Sequence, residues 1–176
     1  MNDSPESPRP AATFSFEEPP HVTIIQTSFY PDIINMQVEG TKAVLDHAKV
    51  SYDILTVPGA LEIPAAVSFS IRALDFDPVR RRSDGFIALG CIIKGDTHHD
   101  EIIAFECARG LQELAIRYAL AIGNGVLSCN TKEQATERSD PARQNRGGAA
   151  AEACLRMIEL KHKFHLSPKR RWIAKK

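Results

Sequence analysis

The sequence predicts an α/β protein: a three-layer α/β/α sandwich in which a four-stranded parallel sheet is flanked by helices on both faces. Three observations predict it. Short strand-like runs (His21–Thr27, Tyr52–Val57, Ile122–Cys129) alternate with longer segments of helical period. The remaining run, Phe86–Ile93, is apolar except for Gly90, which suits a strand buried on both faces. Immediately after it the chain turns polar through Lys94-Gly95-Asp96-Thr97-His98-His99, and apolar positions then return at helical spacing. Repeated strand–helix alternation gives a parallel sheet with right-handed crossovers.

Each element has a local reason. Residues 1–20 carry Pro5, Pro8, Pro10, Pro19 and Pro20 and read as a flexible arm, with Phe14 and Phe16 able to dock on a neighbour. The folded domain spans 21–165. His21–Thr27 is the first strand, and Ser28-Phe29-Tyr30 is the loop at its end. Pro31 suits the first turn of a helix marked by Ile33, Ile34, Val38, Val44 and Leu45. Tyr52–Val57 is the second strand. Pro58-Gly59-Ala60 turns the chain into a helix from Leu61 to about Leu74, with Pro64 in its first turn. Residues 75–83, including Arg80-Arg81-Arg82, form a solvated loop. After the third strand a helix runs over 100–120. Residues 122–129 are the fourth strand despite Gly123 and Gly125. Asn130 or Thr131 caps a short helix, with Glu133 and Gln134 near capping-box distance. Asp140-Pro141 ends it, residues 143–148 turn, and Ala149 to Phe164 is a final Ala-rich helix. Residues 166–176 are a basic tail.

Composition narrows the class. With 43% apolar residues in 176, the chain can form one core. Its formal net charge is zero, which offers no global field for nucleic acid or membrane. No apolar run is long enough to span a bilayer and no secretory signal is visible, so a cytoplasmic location is expected. Cys91, Cys107, Cys129 and Cys154 form no C-x-x-C pair and read as reduced thiols, neither a disulfide framework nor a zinc site. His98, His99, Asp100 and Glu101 are consecutive and cannot readily wrap one metal ion.

In a parallel sheet the loops after the strands share one edge, where ligands bind. Here that edge collects Phe29, then Gly59 to Glu62, then Lys94 to His99, then Asn124 to Asn130 with Arg138 beyond. Phe29 offers a stacking face. Glu62 offers an acceptor. The turn before the third helix offers backbone N–H groups and the positive end of a helix dipole, which suits a phosphate. A histidine there can move protons in a reaction, and Arg138 can clamp a phosphate bidentately. These residue types fit an enzyme acting on a flat polar heterocycle and a phosphate-bearing small molecule.

Four blocks of the chain resemble the lumazine synthase family, across about residues 21–165. They are Ser28-Phe29-Tyr30; Val57-Pro58-Gly59-Ala60-Leu61-Glu62-Ile63-Pro64; Leu89 through His99, with its G-x-T-x-H pattern; and Asn124-Gly125-Val126-Leu127 leading to Glu133-Gln134-Ala135 and Asn145-Arg146-Gly147. The resemblance implies a flavodoxin-like sheet and a transferase of riboflavin biosynthesis. Its reaction condenses 5-amino-6-(D-ribitylamino)uracil with 3,4-dihydroxy-2-butanone 4-phosphate, giving 6,7-dimethyl-8-ribityllumazine, phosphate and water, with no metal or organic cofactor. It assigns His99 to proton transfer and leaves His98 at a variable position. Phe29 stacks on the pyrimidine. Ala60, Leu61 and Glu62, with Cys91, Ile92 and Ile93, hold the pyrimidine and ribityl chain. Asp96, Thr97 and Arg138 hold the phosphate, and Asn124 enters the pocket of a neighbouring subunit. A homopentamer is implied, with a decamer or a 60-subunit shell as the alternative assemblies and riboflavin synthase as a candidate partner.

The chain departs from the family in places. Asn124 stands where many members have an aromatic residue, and Lys94 where arginine is common. Asp96 puts a carboxylate beside the phosphate, so its N–H rather than its side chain should face the ligand. The alternative function is a non-catalytic flavin- or lumazine-binding or cage protein on the same scaffold. The G-x-T-x-H block and Arg138 argue against it, because a binder of the product has no use for a phosphate site.

Overall fold

A computed structural model describes residues 13–77, 79 and 81–166. The chain forms β1 (His21–Thr27), α1 (Pro31–His47), β2 (Ser51–Val57), α2 (Glu62–Phe76), β3 (Gly85–Ile93), α3 (His99–Tyr118), β4 (Ala121–Cys129), α4 (Lys132–Ser139) and α5 (Arg146–Lys163). All strands pair in parallel, in the order β2-β1-β3-β4. The chain therefore leaves β1 for β2 on one side, then crosses back to β3 on the other. The crevice between the ends of β1 and β3 is the switch point of this topology.

Alternation along the strands divides the core by face. Val22, Ile24, Ile87 and Leu89 meet Leu45 of α1 and Cys154, Leu155 and Ile158 of α5. On the other face Ile25, Phe86, Ala88 and Ile92 meet Ile63 and Val67 of α2 and Cys107 and Leu111 of α3. A third cluster, made by Ile33 and Ile34 of α1, Cys91, Leu127, Cys129 and Ala135, seats α4. β3 is buried along almost its whole length, as the unbroken apolar run requires.

The glycines of β4 have a packing reason. A Cβ at Gly123 would lie 1.9 Å from the Ala150 carbonyl oxygen, and one at Gly125 would meet Leu89 and Ala150 at 2.9 and 3.1 Å. They let α5 lie close against the sheet, which offsets their poor strand propensity.

Two expectations need correction. The fifth helix begins at Arg146, not Ala149, so Gly147 and Gly148 belong to its first turn. Asn145 adopts a left-handed conformation (φ 45°) and its side chain accepts from the Gly148 N–H at 3.0 Å, which starts the helix early. At Gly147 a Cβ would come 2.1 Å from the Gln37 carbonyl oxygen, so this glycine permits the contact of α5 with α1. The arm also behaves differently over its described part. Phe14 and Phe16 stack at 6.2 Å and pack on the chain's own core, with Arg156 over Phe14 and His162 edge-on to Phe16. Residues 1–12, Pro78, Arg80 and the tail from 167 lie outside the described residues.

Candidate active site

The sheet order puts the β1 loop between the β2 and β3 loops. Its central feature is Phe29, a side chain 62% exposed at the end of a buried strand. Ser28 is tied to the β2 loop twice, through its N–H to Val57 O at 3.0 Å and its hydroxyl to Pro58 O at 3.1 Å. Tyr30 takes a left-handed backbone (φ 53°, ψ 62°), uncommon for a bulky residue, and its carbonyl accepts from both Ile33 and Ile34 as α1 begins. That bend leaves the Phe29 ring outside the core.

Gly59 shows what the ring faces. A Cβ there would lie 3.0 Å from Glu62 Oε2 and 3.8 Å from Phe29 Cε2. An aromatic ring and a carboxylate thus converge over bare backbone, which suits a flat ring with exocyclic donors. Ala60 and Ile92 are buried in one cluster beneath, while Leu61 is 44% exposed.

β3 continues through Gly90 to Ile93 past Leu89, its last residue paired with β1. Cys91 faces α1 and α4, and Ile92 faces α2 and α3. Burial, and then the neighbouring Cys129, push the Cys91 thiol up to about 12, so it is not a nucleophile at neutral pH. Cys107 and Cys154 are likewise pushed up, to about 11 and about 12, by burial. The contribution of Cys91 is therefore packing and backbone.

The turn from Lys94 to His99 is exposed. Thr97 Oγ1 accepts from the His99 N–H at 3.4 Å as α3 starts, and Asp100 Oδ1 accepts from the Gly95 N–H at the same distance. Gly95 has no positive φ, and a Cβ there would meet nothing within 4 Å. The chain itself gives no steric reason for a glycine at this position. A side chain would intrude only on something arriving from outside. His98 leans on Glu101 of its own helix (3.5 Å) and is 91% exposed, while His99 opens α3 without such a pair among the described residues.

Asn124 and Arg138 lie elsewhere. They share a cleft of roughly 330 Å³ along the outer edge of β4, with Ser128, Arg146 and the alanines of α5; Phe29, Glu62 and the 94–99 turn do not line it. Asn124 Oδ1 accepts from the Val126 N–H at 3.0 Å, which leaves its NH₂ facing outward. Arg146, the first residue of α5, also lines this cleft; the sequence placed it in the Asn145-Arg146-Gly147 block but gave it no role in the site. Among the described residues no His, Cys, Asp and Glu cluster suits a metal ion, and no helix is long and apolar enough to cross a membrane.

The family model and the curated relatives agree. The family model described as 6,7-dimethyl-8-ribityllumazine synthase matches residues 19–162. A protein of that description from Afipia carboxidovorans is 48% identical over 81% of this chain and 86% of its own length. Those from Bartonella tribocorum and Paramagnetospirillum magneticum are 46% and 44% identical, over 82% and 83% of this chain and 92% and 97% of theirs.

Proposed function

The chain belongs to the 6,7-dimethyl-8-ribityllumazine synthase family and is an enzyme of the transferase class, and from that premise we propose that it condenses 5-amino-6-(D-ribitylamino)uracil with 3,4-dihydroxy-2-butanone 4-phosphate in the penultimate step of riboflavin biosynthesis. Two C–N bonds form, one to each carbon of the four-carbon ketone that enters the new ring. Inorganic phosphate and two waters leave. Every step moves a proton, which a group titrating near neutrality assists. The rest is orientation of two substrates, which can supply several kcal/mol.

The observation that carries this reading is the switch-point arrangement. Phe29 and Glu62 meet over Gly59, and a glycine without conformational need opens the phosphate-type turn on the other side of Phe29. In this reading Phe29 stacks on the pyrimidine, and Glu62 accepts from its donors. Ala60, Leu61, Ile92 and Ile93 enclose the pyrimidine and ribityl chain, with Cys91 beneath. The N–H groups of the turn around Asp96 and Thr97 take the phosphate, and His99 transfers protons.

Arg138 lies in the cleft of Asn124 rather than beside Thr97. We therefore assign both to the pocket of an adjacent copy, where Arg138 closes on the phosphate. The ring is a pentamer acting in the cytoplasm, and riboflavin synthase is the downstream partner. Mixing the two substrates with the protein tests the activity. The expected result is lumazine absorbance rising with equimolar phosphate; ligand binding without turnover would support the non-catalytic alternative and overturn this one.

A further inference from the structure

On the functional reading above, Arg138 acts as a phosphate clamp, and what sets its position lies outside both substrate pockets. Arg138 is in the last turn of α4, a helix of eight residues too short to hold itself. Its apolar anchor is one buried side chain, Ala135, against Ile33 and Ile34 of α1. Ser139, also buried, adds a weak contact to Met36 Sδ at 4.0 Å. At the other end, Lys132 Nζ reaches Asp32 Oδ2 of α1 at 2.8 Å.

That ion pair differs from those within single stretches of chain. Six other pairs between Lys or Arg and Asp or Glu join residues three or four apart. Lys132 and Asp32 instead join two elements. Lys132 occupies the first position of α4, where the helix dipole disfavours a cation. A partner must offset that, and Asp32 does so from the first turn of α1, where the dipole favours an anion. The hydrogen bond from Lys132 holds Asp32 below its ordinary 3.8, and Asp32 holds Lys132 above its ordinary 10.5. Both are charged throughout the neutral range. Arg138 follows six residues later, about 9 Å along the axis.

We propose that Lys132 and Asp32 are a positioning pair for the phosphate-binding arginine: they pin the free end of α4 to α1, so that Arg138 at the far end is held at the height the phosphate needs. The same bridge ends two residues after Tyr30, so one rigid block carries Phe29 for one pocket and Arg138 for the next.

The test uses the full-length protein with inorganic phosphate as probe, alongside steady-state kinetics. An exposed pair contributes little to stability, so Lys132→Met and Asp32→Asn should fold, which circular dichroism checks. Each should weaken phosphate binding roughly 3- to 5-fold, near the upper limit for such a pair. The double variant should be no weaker than either single, and Lys132→Arg should stay within about twofold of wild type. KM for the phosphorylated ketone should rise by the same factor, with kcat and the pyrimidine KM unchanged. Unchanged phosphate affinity, additive singles, or an equal rise in both KM values would overturn the pair. So would a wild type that binds no phosphate. A wild type that binds phosphate but makes no lumazine would refute the functional reading instead, and the titration alone would then decide the pair.

Discussion

His98 and His99 are adjacent in sequence but differ in surroundings. His98 sits 3.5 Å from the Glu101 carboxylate on the surface of α3, while His99 begins the helix with its N–H on Thr97. We expect His99→Ala to slow turnover about 10-fold or more and His98→Ala to do much less, since general acid–base catalysis is typically worth about 100-fold and reactive substrates blunt the loss. Equal impairment of the two would show the register to be wrong. Gly95 allows a cleaner separation of fold from function. Gly95→Ala should leave the unfolding midpoint unchanged, because the added methyl meets nothing, yet weaken the phosphorylated substrate. A stability loss with unchanged KM would mean the glycine serves the turn. These residues stood out as candidates because a strand, a polar turn and a helix start announce themselves in composition. The reason for Gly95 was not, since only coordinates distinguish a glycine that relieves strain from one that leaves space.

At the scale of elements, β4 and α4 carry the information that periodicity obscured. Gly123 and Gly125 lowered the strand signal of β4, yet they are what let α5 approach it. Gly123→Ala should therefore destabilise by about 2 kcal/mol or more, because the clash is with the Ala150 backbone, which cannot rotate away. Chemical denaturation measures this; a neutral result would mean α5 shifts freely. The start of α5 was misread for a related reason: Gly147-Gly148 looks like a turn, and only the Asn145 cap and the crossing against Gln37 make it a helix. α4 was legible through its capping signals. Thr131 does accept from the Gln134 N–H, and Gln134 accepts in return from Asn130. Where Arg138 points was not legible, because that depends on how a short helix docks. Arg138→Ala should raise KM for the phosphorylated ketone roughly 30-fold, the loss of about 2 kcal/mol for a charge-assisted contact, and leave the pyrimidine KM nearly unchanged. Phe29→Ala should show the opposite pattern.

For the whole molecule, the parallel sheet with helices on both faces follows from strand–helix alternation, a property of the linear sequence, whereas the order β2-β1-β3-β4 comes from the structure. The proposed partition of the site is not legible in one chain either, because it rests on a second copy. One chain brings Phe29, Glu62 and the 94–99 turn to the switch point, while Asn124 and Arg138 face outward along β4. Apolar side chains are also left open on α2 and α3, among them Phe69, Phe105 and Ile116, each more than 70% exposed. A head-to-tail contact that joins these two surfaces must close into a ring or run on as a filament. Five chains of 19.5 kDa predict a particle of about 98 kDa by light scattering. A fully active monomer would refute the shared site. The most direct test is complementation between two crippled chains. His99→Ala and Arg138→Ala are unfolded together, refolded as a mixture and assayed, at ketone concentrations well below the wild-type KM, beside each variant refolded alone. If each pocket takes His99 from one copy and Arg138 from the next, random assembly restores about one quarter of the pockets to wild-type composition. Activity should then rise to about that fraction of wild type, well above the mean of the two variants. A mixture no more active than that mean would place His99 and Arg138 in the same chain's pocket and contradict the account.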